Sequence, residues 1–485
     1  MKQAILNFYR SNHIYNYRKE WVLLISCFVF VLLRIPSLIE PHWYGDEGIY
    51  QVIGRALNDG RILYRDIWDN KPPLLYIIYA FSFGNLFAVK LLSLLAGLGS
   101  IIFFFKLVGK IFKKEVSIFI CTILYALLFG APILEGNIAN AENFMLLPVV
   151  ASSYFIFTYS QKNGYKNLAI AGFLLSLALM TKIVAIFDFL AFAIFLVYTI
   201  GFRKNLRHLS IFSICFLSVF AAFIIYFLIM GTFNESMSSI FMQNIAYVGE
   251  QNGANNPIAA FISKVVVLVI VVIVLSFRKV KVGRNLLFIY LWFVFGVYSS
   301  MFSARPYTHY LLVILPSFSL LFGMIFETRK MRAINIILIA LLSLIGYFHF
   351  KIYRKNILYY VNAFQMVTGS KSITDYEMFF DKNTPRDYNI ANFIKSNIKN
   401  DESIFLWSDS PQIYALSNKL PIGKYIVAYH ITFYKNADII TKEQLNRSQP
   451  RYIIQTVNEP LGEELISSYK LKYIMEGTKI YEREI

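Results

Sequence analysis

Charged residues are scarce in this sequence: Asp, Glu, Lys and Arg make up 16% of it, against roughly 25% in a soluble domain. Cysteine is scarcer still, and Cys27, Cys121 and Cys215 each lie inside an apolar run without metal-site spacing. The sequence has no glycine-rich nucleotide-binding loop, heptad pattern or internal repeat. These absences argue against a soluble enzyme, a cysteine-based metal site and a nucleotide-activated substrate.

Long apolar runs are abundant, since 57% of the 485 residues are hydrophobic. A transmembrane helix needs about 20 apolar residues. The sequence predicts a polytopic α-helical membrane protein with about 11 transmembrane helices, and a count of 12 or 13 stays open. The predicted spans are 21–39, 86–105, 116–130, 141–160, 167–181, 183–200, 209–230, 258–277, 285–303, 309–326 and 334–350.

The net charge of +18 follows from basic clusters in alternate loops, which is typical of cytoplasmic loops and not of a nucleic-acid-binding surface. Loops 106–115, 161–166, 201–208, 278–284 and 327–333 are rich in Lys and Arg, whereas 131–140 and 231–257 contain neither. The pattern predicts a cytoplasmic N-terminus, a retained signal anchor at 21–39 and an extracytoplasmic C-terminus.

The spans and the polar residues after them predict two domains, a transmembrane domain at 1–350 and a small α/β extracytoplasmic domain at 351–485. In the second, Ser410-Pro411 predicts a helix start, and 451–457 and the pair around 476–478 predict strands. Segment 72–85 is too short to span, so we interpret it as a juxtamembrane helix that begins at Pro72-Pro73.

The first outer loop, residues 40–71, is dense in ionisable residues. Its apolar residues recur with helical spacing, which predicts an amphipathic helix in the membrane interface that ends at Gly60. Asp46 falls at the predicted N-cap with Glu47 beside it, and the helix dipole favours both carboxylates. Lys71 precedes the next helix, where its ammonium can meet a lipid phosphate.

The segment GDEGIYQVIGRALNDGRILYRDIWDNKPPLLYIIYA (45–80) resembles the first loop of GT-C glycosyltransferases related to family 39. That group includes protein O-mannosyltransferases and the transferases that add aminoarabinose to lipid A. The shared pattern is an acidic pair, an aromatic residue and Lys-Pro-Pro before an apolar helix. Weaker similarity continues through NAENFMLLP (140–148), GFLLSLALMTK (172–182) and RPYTHYLLVILP (305–316), so the resemblance covers about residues 20–350.

The resemblance implies the GT-C fold, with an active site at the outer membrane surface that is open to a lipid donor. It implies that Asp46 is the catalytic carboxylate, Lys71 the phosphate-side lysine and Glu142 an acidic residue of the second outer loop. Asn70 stands where the aminoarabinose branch usually has Glu, which weakens the case for a metal site and for aminoarabinose as the sugar. A divalent metal cofactor and its ligands stay open.

Charges beside spans are costly and are candidates for function. Lys182, Arg305 and His309 fall on the predicted side of Asp46, and convergence of the two cations with Lys71 would form a phosphate site. Lys90 and Asp188 lie inside spans and receive no role.

The predicted function is therefore a hexosyl- or pentosyltransferase at the outer face of the plasma membrane. It moves a sugar from a polyprenyl phosphate to a glycan, lipid or protein hydroxyl by inverting displacement, with Asp46 as base. Two alternatives stay open: a lipid-linked sugar flippase or transporter, and a polysaccharide polymerase or ligase with a diphosphate donor.

Overall fold

A computed structural model gives the structure of this chain and describes residues 13–162, 164–200, 202–245, 257–277, 283–350, 355–399, 401–434, 436–458 and 468–484. Contacts divide the chain into two compact units. The first unit contains Met1–Ser37, Leu91–Phe223 and Ile245–Asn356, and the second contains Leu38–Lys90, Ile224–Asn244 and Ile357–Ile485. The domains predicted at 1–350 and 351–485 remain a prediction.

Helices make up nearly all regular structure before residue 400. In chain order they are α1 (His13–Arg34), α2 (Gly45–Asn58), α3 (Pro73–Ala80), α4 (Leu86–Ile111), α5 (Glu115–Gly130), α6 (Ala141–Lys162), α7 (Tyr165–Thr181), α8 (Ile186–Ile200), α9 (Phe202–Ile229), α10 (Phe233–Met237), α11 (Pro257–Phe277), α12 (Arg284–Met301), α13 (Leu315–Glu327), α14 (Arg332–His349), α15 (Asn356–Val367), α16 (Ile373–Phe380) and α17 (Thr384–Asn397).

Each predicted span is helical in the described residues, so its helical character is confirmed. Most spans fall on one α-helix, whereas 21–39, 183–200 and 309–326 each combine an α-helix with a short 3-10 helix. Among the described residues, five stretches are long and apolar enough to cross a bilayer: Lys19–Ile39, Leu86–Ile111, Ala141–Lys162, Leu206–Ile229 and Arg332–His349. Several others are shorter, and the number of spans stays a prediction. The predicted span 309–326 opens as a 3-10 helix, Thr308–Val313, and α13 begins only at Leu315, since Pro316 suits a first turn.

Aromatic side chains fill the core of the first unit. Trp292 of α12 is fully buried and its ring contacts Phe192 of α8 and Phe288. The indole Nε1 of Trp292 donates to Asp188 Oδ1 at 2.7 Å, so this buried carboxyl group has a polar partner in the core.

In the second unit, α2 packs on α3 at Gly54, where a Cβ would lie 2.7 Å from the carbonyl carbon of Tyr79. On the same unit Gly48 approaches Gln412 closely. The apolar stripe that we expected in the membrane interface is therefore covered by protein, because its residues Ile49, Val52, Ile53 and Ala56 are buried.

Both ends of α2 can be compared with their predictions. Asp46 is not the N-cap: Tyr44 holds that position, and Asp46 lies inside the first turn because the helix begins at Gly45, two residues earlier than predicted. The predicted stop is confirmed, since Gly60 has a φ of +83° and the Arg61 amide donates to the Ala56 carbonyl at 2.9 Å, which is a Schellman ending. The helix predicted in segment 72–85 is confirmed as α3, which begins after Pro72 as N-cap and ends at Ala80, while its place beside the membrane stays a prediction.

The C-terminal part of the second unit is an α/β structure, as predicted. Its elements are β1 (Ile404–Trp407), α18 (Gln412–Ser417), α19 (Ala428–Phe433), α20 (Ala437–Ser448), β2 (Tyr452–Gln455), β3 (Tyr469–Met475) and β4 (Thr478–Arg483). The sheet order is β1-β2-β4-β3, with β1 parallel to β2 and the other pairs antiparallel. Glu476 and Gly477 both have positive φ, as a two-residue hairpin turn requires.

Candidate active site

Asp46 lies in the first turn of α2, one turn before Tyr50. The Tyr50 hydroxyl donates to Asp46 Oδ2 at 3.1 Å, because residues four apart share a helix face. This contact fixes one carboxylate oxygen.

Glu47, the second predicted acid, points into the second unit and is buried. Its carboxylate lies 2.8 Å from Lys90 Nζ, and the same ammonium lies 3.0 Å from Glu40. The Tyr359 hydroxyl donates to the other oxygen of Glu40 at 2.5 Å. Glu47 is thus held in a buried ion cluster next to Asp46, and Lys90, which the sequence left without a role, is the centre of that cluster.

Asp69, Asn70 and Lys71 form the approach to α3 and are not helical. Asp69 is buried and accepts a hydrogen bond of 2.7 Å from the Tyr76 hydroxyl. The Lys71 ammonium donates to the neutral amide oxygen of Asn70 at 2.9 Å. A Glu at position 70 would instead oppose the lysine charge, so Asn70 preserves a positive site.

Asp46 and Asp69, both in the second unit, lie in the same aromatic environment. Tyr50, the partner of Asp46, makes a T-shaped contact with Tyr76, the partner of Asp69, at 6.0 Å between ring centroids. Burial raises the pKa of Tyr429 well above its usual range, and the charges of Asp46 and Asp69 raise it further. Asp46, Asp69 and Tyr429 therefore belong to one electrostatic environment.

His430 lies beside Asp69, with 3.9 Å between its Nε2 and Asp69 Oδ1. Burial lowers the pKa of His430 to about 4 despite the nearby Asp69, and the charge of Lys71 lowers it as well. The imidazole is therefore neutral at pH 7. Our sequence analysis missed this histidine, because it lies far from the first outer loop along the chain.

Glu142, Lys182 and His309 are brought together in the first unit. Lys182, at the end of α7, forms a salt bridge with the buried Glu142, and its ammonium lies 4.5 Å from the Tyr310 ring centroid. His309 lies 2.8 Å from Glu135, a residue that the sequence analysis missed, and 3.7 Å from Glu142. A phosphate that contacts Lys182 would have to share its ammonium with Glu142.

Arg305 lies half-buried in the turn between α12 and the 3-10 helix of His309. It belongs to the first unit with Lys182, whereas Lys71 belongs to the second, so their predicted convergence stays a prediction. Within the described residues, no group of three or more His, Cys, Asp or Glu side chains is arranged to hold a metal ion.

The family model described as dolichyl-phosphate-mannose-protein mannosyltransferase matches residues 70–229, which include Lys71, Glu142 and Lys182. Residues 385–482 match the model for the C-terminal domain of Ccs4, a protein described as competence-induced. A search of curated protein sequences found no match.

Two solved membrane enzymes have a similar fold. ArnT from Cupriavidus metallidurans, in a crystal structure with undecaprenyl phosphate, has a TM-score of 0.57 at 13% identity, over 95% of this chain and 98% of ArnT. The oligosaccharyltransferase AglB from Archaeoglobus fulgidus, with an inhibitory peptide and a dolichol-phosphate, has a TM-score of 0.50 at 12% identity, over 92% of this chain and 70% of AglB. This chain is therefore a polytopic protein of the GT-C fold, and its resemblance to the GT-C glycosyltransferases related to family 39 is confirmed.

Proposed function

We propose that this protein transfers a sugar from a polyprenyl-phosphate donor to a hydroxyl acceptor at the outer face of the plasma membrane. The match of residues 70–229 and the fold of ArnT and AglB support a glycosyltransferase that uses a lipid-linked sugar. The observation that carries the assignment of roles is the arrangement of Asp46 and Lys71 in one unit. Asp46 is an oriented carboxylate, and Lys71 is a cation bonded to a neutral amide.

The reaction is a single displacement. The acceptor oxygen forms a bond to the anomeric carbon, its proton passes to Asp46, and the bond between that carbon and the phosphate oxygen breaks. The lipid leaves as a phosphate monoester, and the anomeric centre inverts. A base for the incoming hydroxyl and a positive charge for the leaving phosphate are the two requirements.

Asp46 meets the first requirement, since Tyr50 holds one of its oxygens and thereby orients the other. Lys71 meets the second, since the leaving phosphate gains negative charge as the bond breaks. In the buried cluster, Glu47 holds the start of α2 through Lys90, so we assign it a positioning role beside Asp46.

The proposal also assigns roles to four residues of the first unit: Glu142, Lys182, Arg305 and His309. Lys182 and Arg305 bind the donor phosphate, and Glu142 orients Lys182 through their salt bridge. His309 lies between two carboxylates, Glu135 and Glu142, and it keeps both in place.

The test is an assay that a transporter cannot pass. Purified protein in detergent is given a polyprenyl-phosphate sugar and a crude acceptor extract, and the release of free lipid phosphate is measured. A transferase releases lipid phosphate and needs the acceptor to do so. A flippase releases none in detergent, since it breaks no bond, and that result would overturn the proposal.

A further inference from the structure

A cavity of about 320 Å³ lies beside Trp68 in the second unit, and its inner wall is aromatic. The Trp68 ring makes T-shaped contacts with Tyr434 at 4.4 Å and with Tyr425 at 5.6 Å between centroids. Trp68 Nε1 donates to Ser239 Oγ at 2.7 Å, which fixes the indole. The aromatic wall is thus rigid before any ligand arrives.

The rest of the lining is polar and balanced in charge. Glu235 supplies one carboxylate and Lys424 one ammonium, while Asn234 and Gln243 supply amides. A net charge near zero does not favour either an anion or a cation. Carboxylates and amides pair well with hydroxyl groups, and aromatic rings offer an apolar surface next to them. The volume lies at the small end of ligand sites, roughly 300–1,000 Å³.

We propose that this cavity binds an uncharged saccharide and that the saccharide is the acceptor. Saccharide binding is argued from the cavity alone, whereas the role of that saccharide as acceptor rests on the proposed function. Trp68 directly precedes Asp69, and its ring contacts His430, the neighbour of Asp69, at 5.1 Å. The cavity therefore adjoins the group of residues that contains Asp69 and Tyr429, and the acceptor of this protein is a glycan and not a peptide.

The binding test uses the full-length protein in nanodiscs with four neutral disaccharides, maltose, cellobiose, chitobiose and mannobiose, followed by saturation-transfer NMR. At least one binds the wild type, and the Glu235→Ala and Gln243→Ala exchanges weaken its affinity roughly tenfold each, as loss of a hydrogen bond to a fixed group does. Glu443→Ala, an exposed carboxylate of α20 in the same unit, is the matched control and leaves binding unchanged.

Several results would overturn the inference. They are no binding of any disaccharide, equal binding by wild type and both cavity variants, or competition by inorganic phosphate. Glu235→Gln keeps the size of the side chain and serves if Glu235→Ala is unstable. Disaccharide binding without release of lipid phosphate would remove the proposed function and leave the cavity standing. Release of lipid phosphate with an unaltered acceptor KM in both variants would leave the proposed function standing and exclude the cavity as the acceptor site.

A different surface supports a second, independent inference. Helix α15 contains no charged residue, although we had predicted a polar segment after residue 350. One face is buried through Tyr359, Asn362 and Ala363, whereas the opposite face is exposed and apolar, with Ile357 80%, Phe364 69% and Val367 74% exposed. An exposed helix face of this kind is costly in water.

The position of α15 indicates what covers this face. It follows α14, the last predicted span, after only residues 350–355, and Lys355 stands directly before its first residue. An apolar helix face that comes soon after a span and next to a cation is typical of a helix that lies in the membrane surface. We infer that the outer face of α15 rests in the acyl boundary of the bilayer.

Spin labels test this inference in nanodiscs. Cys27, Cys121 and Cys215 are first replaced with alanine, and a nitroxide is attached through Phe364→Cys or, as the exposed polar control, through Ser396→Cys. The label at 364 is more accessible to oxygen than to a water-soluble nickel complex, and the label at 396 shows the opposite order. Access of the nickel complex to 364 overturns the inference. So does exclusion of both reagents together with a 364–364 crosslink, which would show a second copy on this face.

Discussion

An Asp46→Asn exchange removes the negative charge but keeps an acceptor oxygen, so the Tyr50 hydroxyl can still donate to the side chain. We therefore predict that Asp46→Asn abolishes sugar transfer while the purified protein keeps its wild-type Tm within a few degrees. The measurement is release of lipid phosphate. Asp59→Asn, an exposed residue just beyond α2, is the matched control and keeps full activity. A wild-type rate for Asp46→Asn would remove Asp46 as the base.

Lys71 acts on the leaving phosphate, so its removal affects the transition state more than the bound donor. We predict that Lys71→Ala lowers kcat by about 100-fold with a smaller change in donor KM, as loss of one preorganised charge contact does. Lys71→Arg does not restore the rate, because the guanidinium places its charge elsewhere. Arg65→Ala, an exposed cation of the same loop, is the control. An unimpaired Lys71→Ala variant would exclude Lys71 from the mechanism.

One buried histidine, His430, and one partly buried histidine, His42, make the second unit sensitive to acid. Burial lowers the pKa of His42 and of His430 to about 4, whereas both titrate near 6.5 in an unfolded chain. The unfolded state therefore binds more protons between these values, so stability is complete above about pH 6.5 and falls as the pH drops toward 4. We predict a falling Tm over this window and a shallower fall in His430→Gln. Parallel Tm curves for the two proteins would contradict the assignment.

The candidate site residues that lie close together in the sequence could be predicted. Contacts between residues that are distant in the sequence were missed. Asp46, Glu47 and Lys71 were visible in one loop, and Tyr50 could have been found by its helical spacing from Asp46. The buried cluster of Glu40, Glu47 and Lys90 could not, because Lys90 lies more than 40 residues from either acid and only the fold brings them together. A lysine inside an apolar run nevertheless indicates that a buried partner exists.

At the scale of elements, α2 and α3 carry the candidate base and border the candidate phosphate residue, and Gly54 sets their separation. A Cβ at Gly54 would lie 2.8 Å from the Ala80 nitrogen, so the two helices must move apart. We predict that Gly54→Ala costs about 1–3 kcal/mol, as overpacking does, and lowers transfer by moving Asp46 relative to Lys71. Tm and lipid phosphate release are the measurements.

The control for this prediction is Gly109→Ala in α4, where a Cβ meets nothing within 4 Å. In a helix interior that exchange is neutral or stabilising by up to about 1 kcal/mol. Equal effects of the two substitutions would show that the close approach at Gly54 has no part in positioning the site.

The helices were predictable because apolar runs and loop composition mark them, and the hairpin because Gly477 marks its turn. The N-cap of α2 was placed two residues late, since Tyr44 makes no side-chain capping hydrogen bond that would mark the helix start. The covering of the α2 stripe by α3 and by Gln412 was invisible, because an amphipathic helix looks the same whether protein or lipid covers it.

At the scale of the whole molecule, the basic loops predict on which side of the membrane the proposed reaction takes place. Lys106, Lys110 and Arg207 belong to loops that the sequence predicts to be cytoplasmic, and the loop with Asp46 alternates with them. A periplasmic or extracellular site is consistent with a lipid-linked donor, because nucleotide sugars are made inside the cell. The side of the site therefore constrains the donor.

We predict that a reporter enzyme fused after residue 350 behaves as extracytoplasmic and that one inserted at residue 280 behaves as cytoplasmic. The physical reason is the cost of moving clustered Lys and Arg residues through the bilayer. Each position is fused to alkaline phosphatase, which is active outside the cytoplasm, and to green fluorescent protein, which fluoresces inside it. The two reporters therefore control for one another at each position. Because the odd number of spans places the two ends on opposite sides, finding both fusions on one side would refute the eleven-span topology and move Asp46 from the outer face.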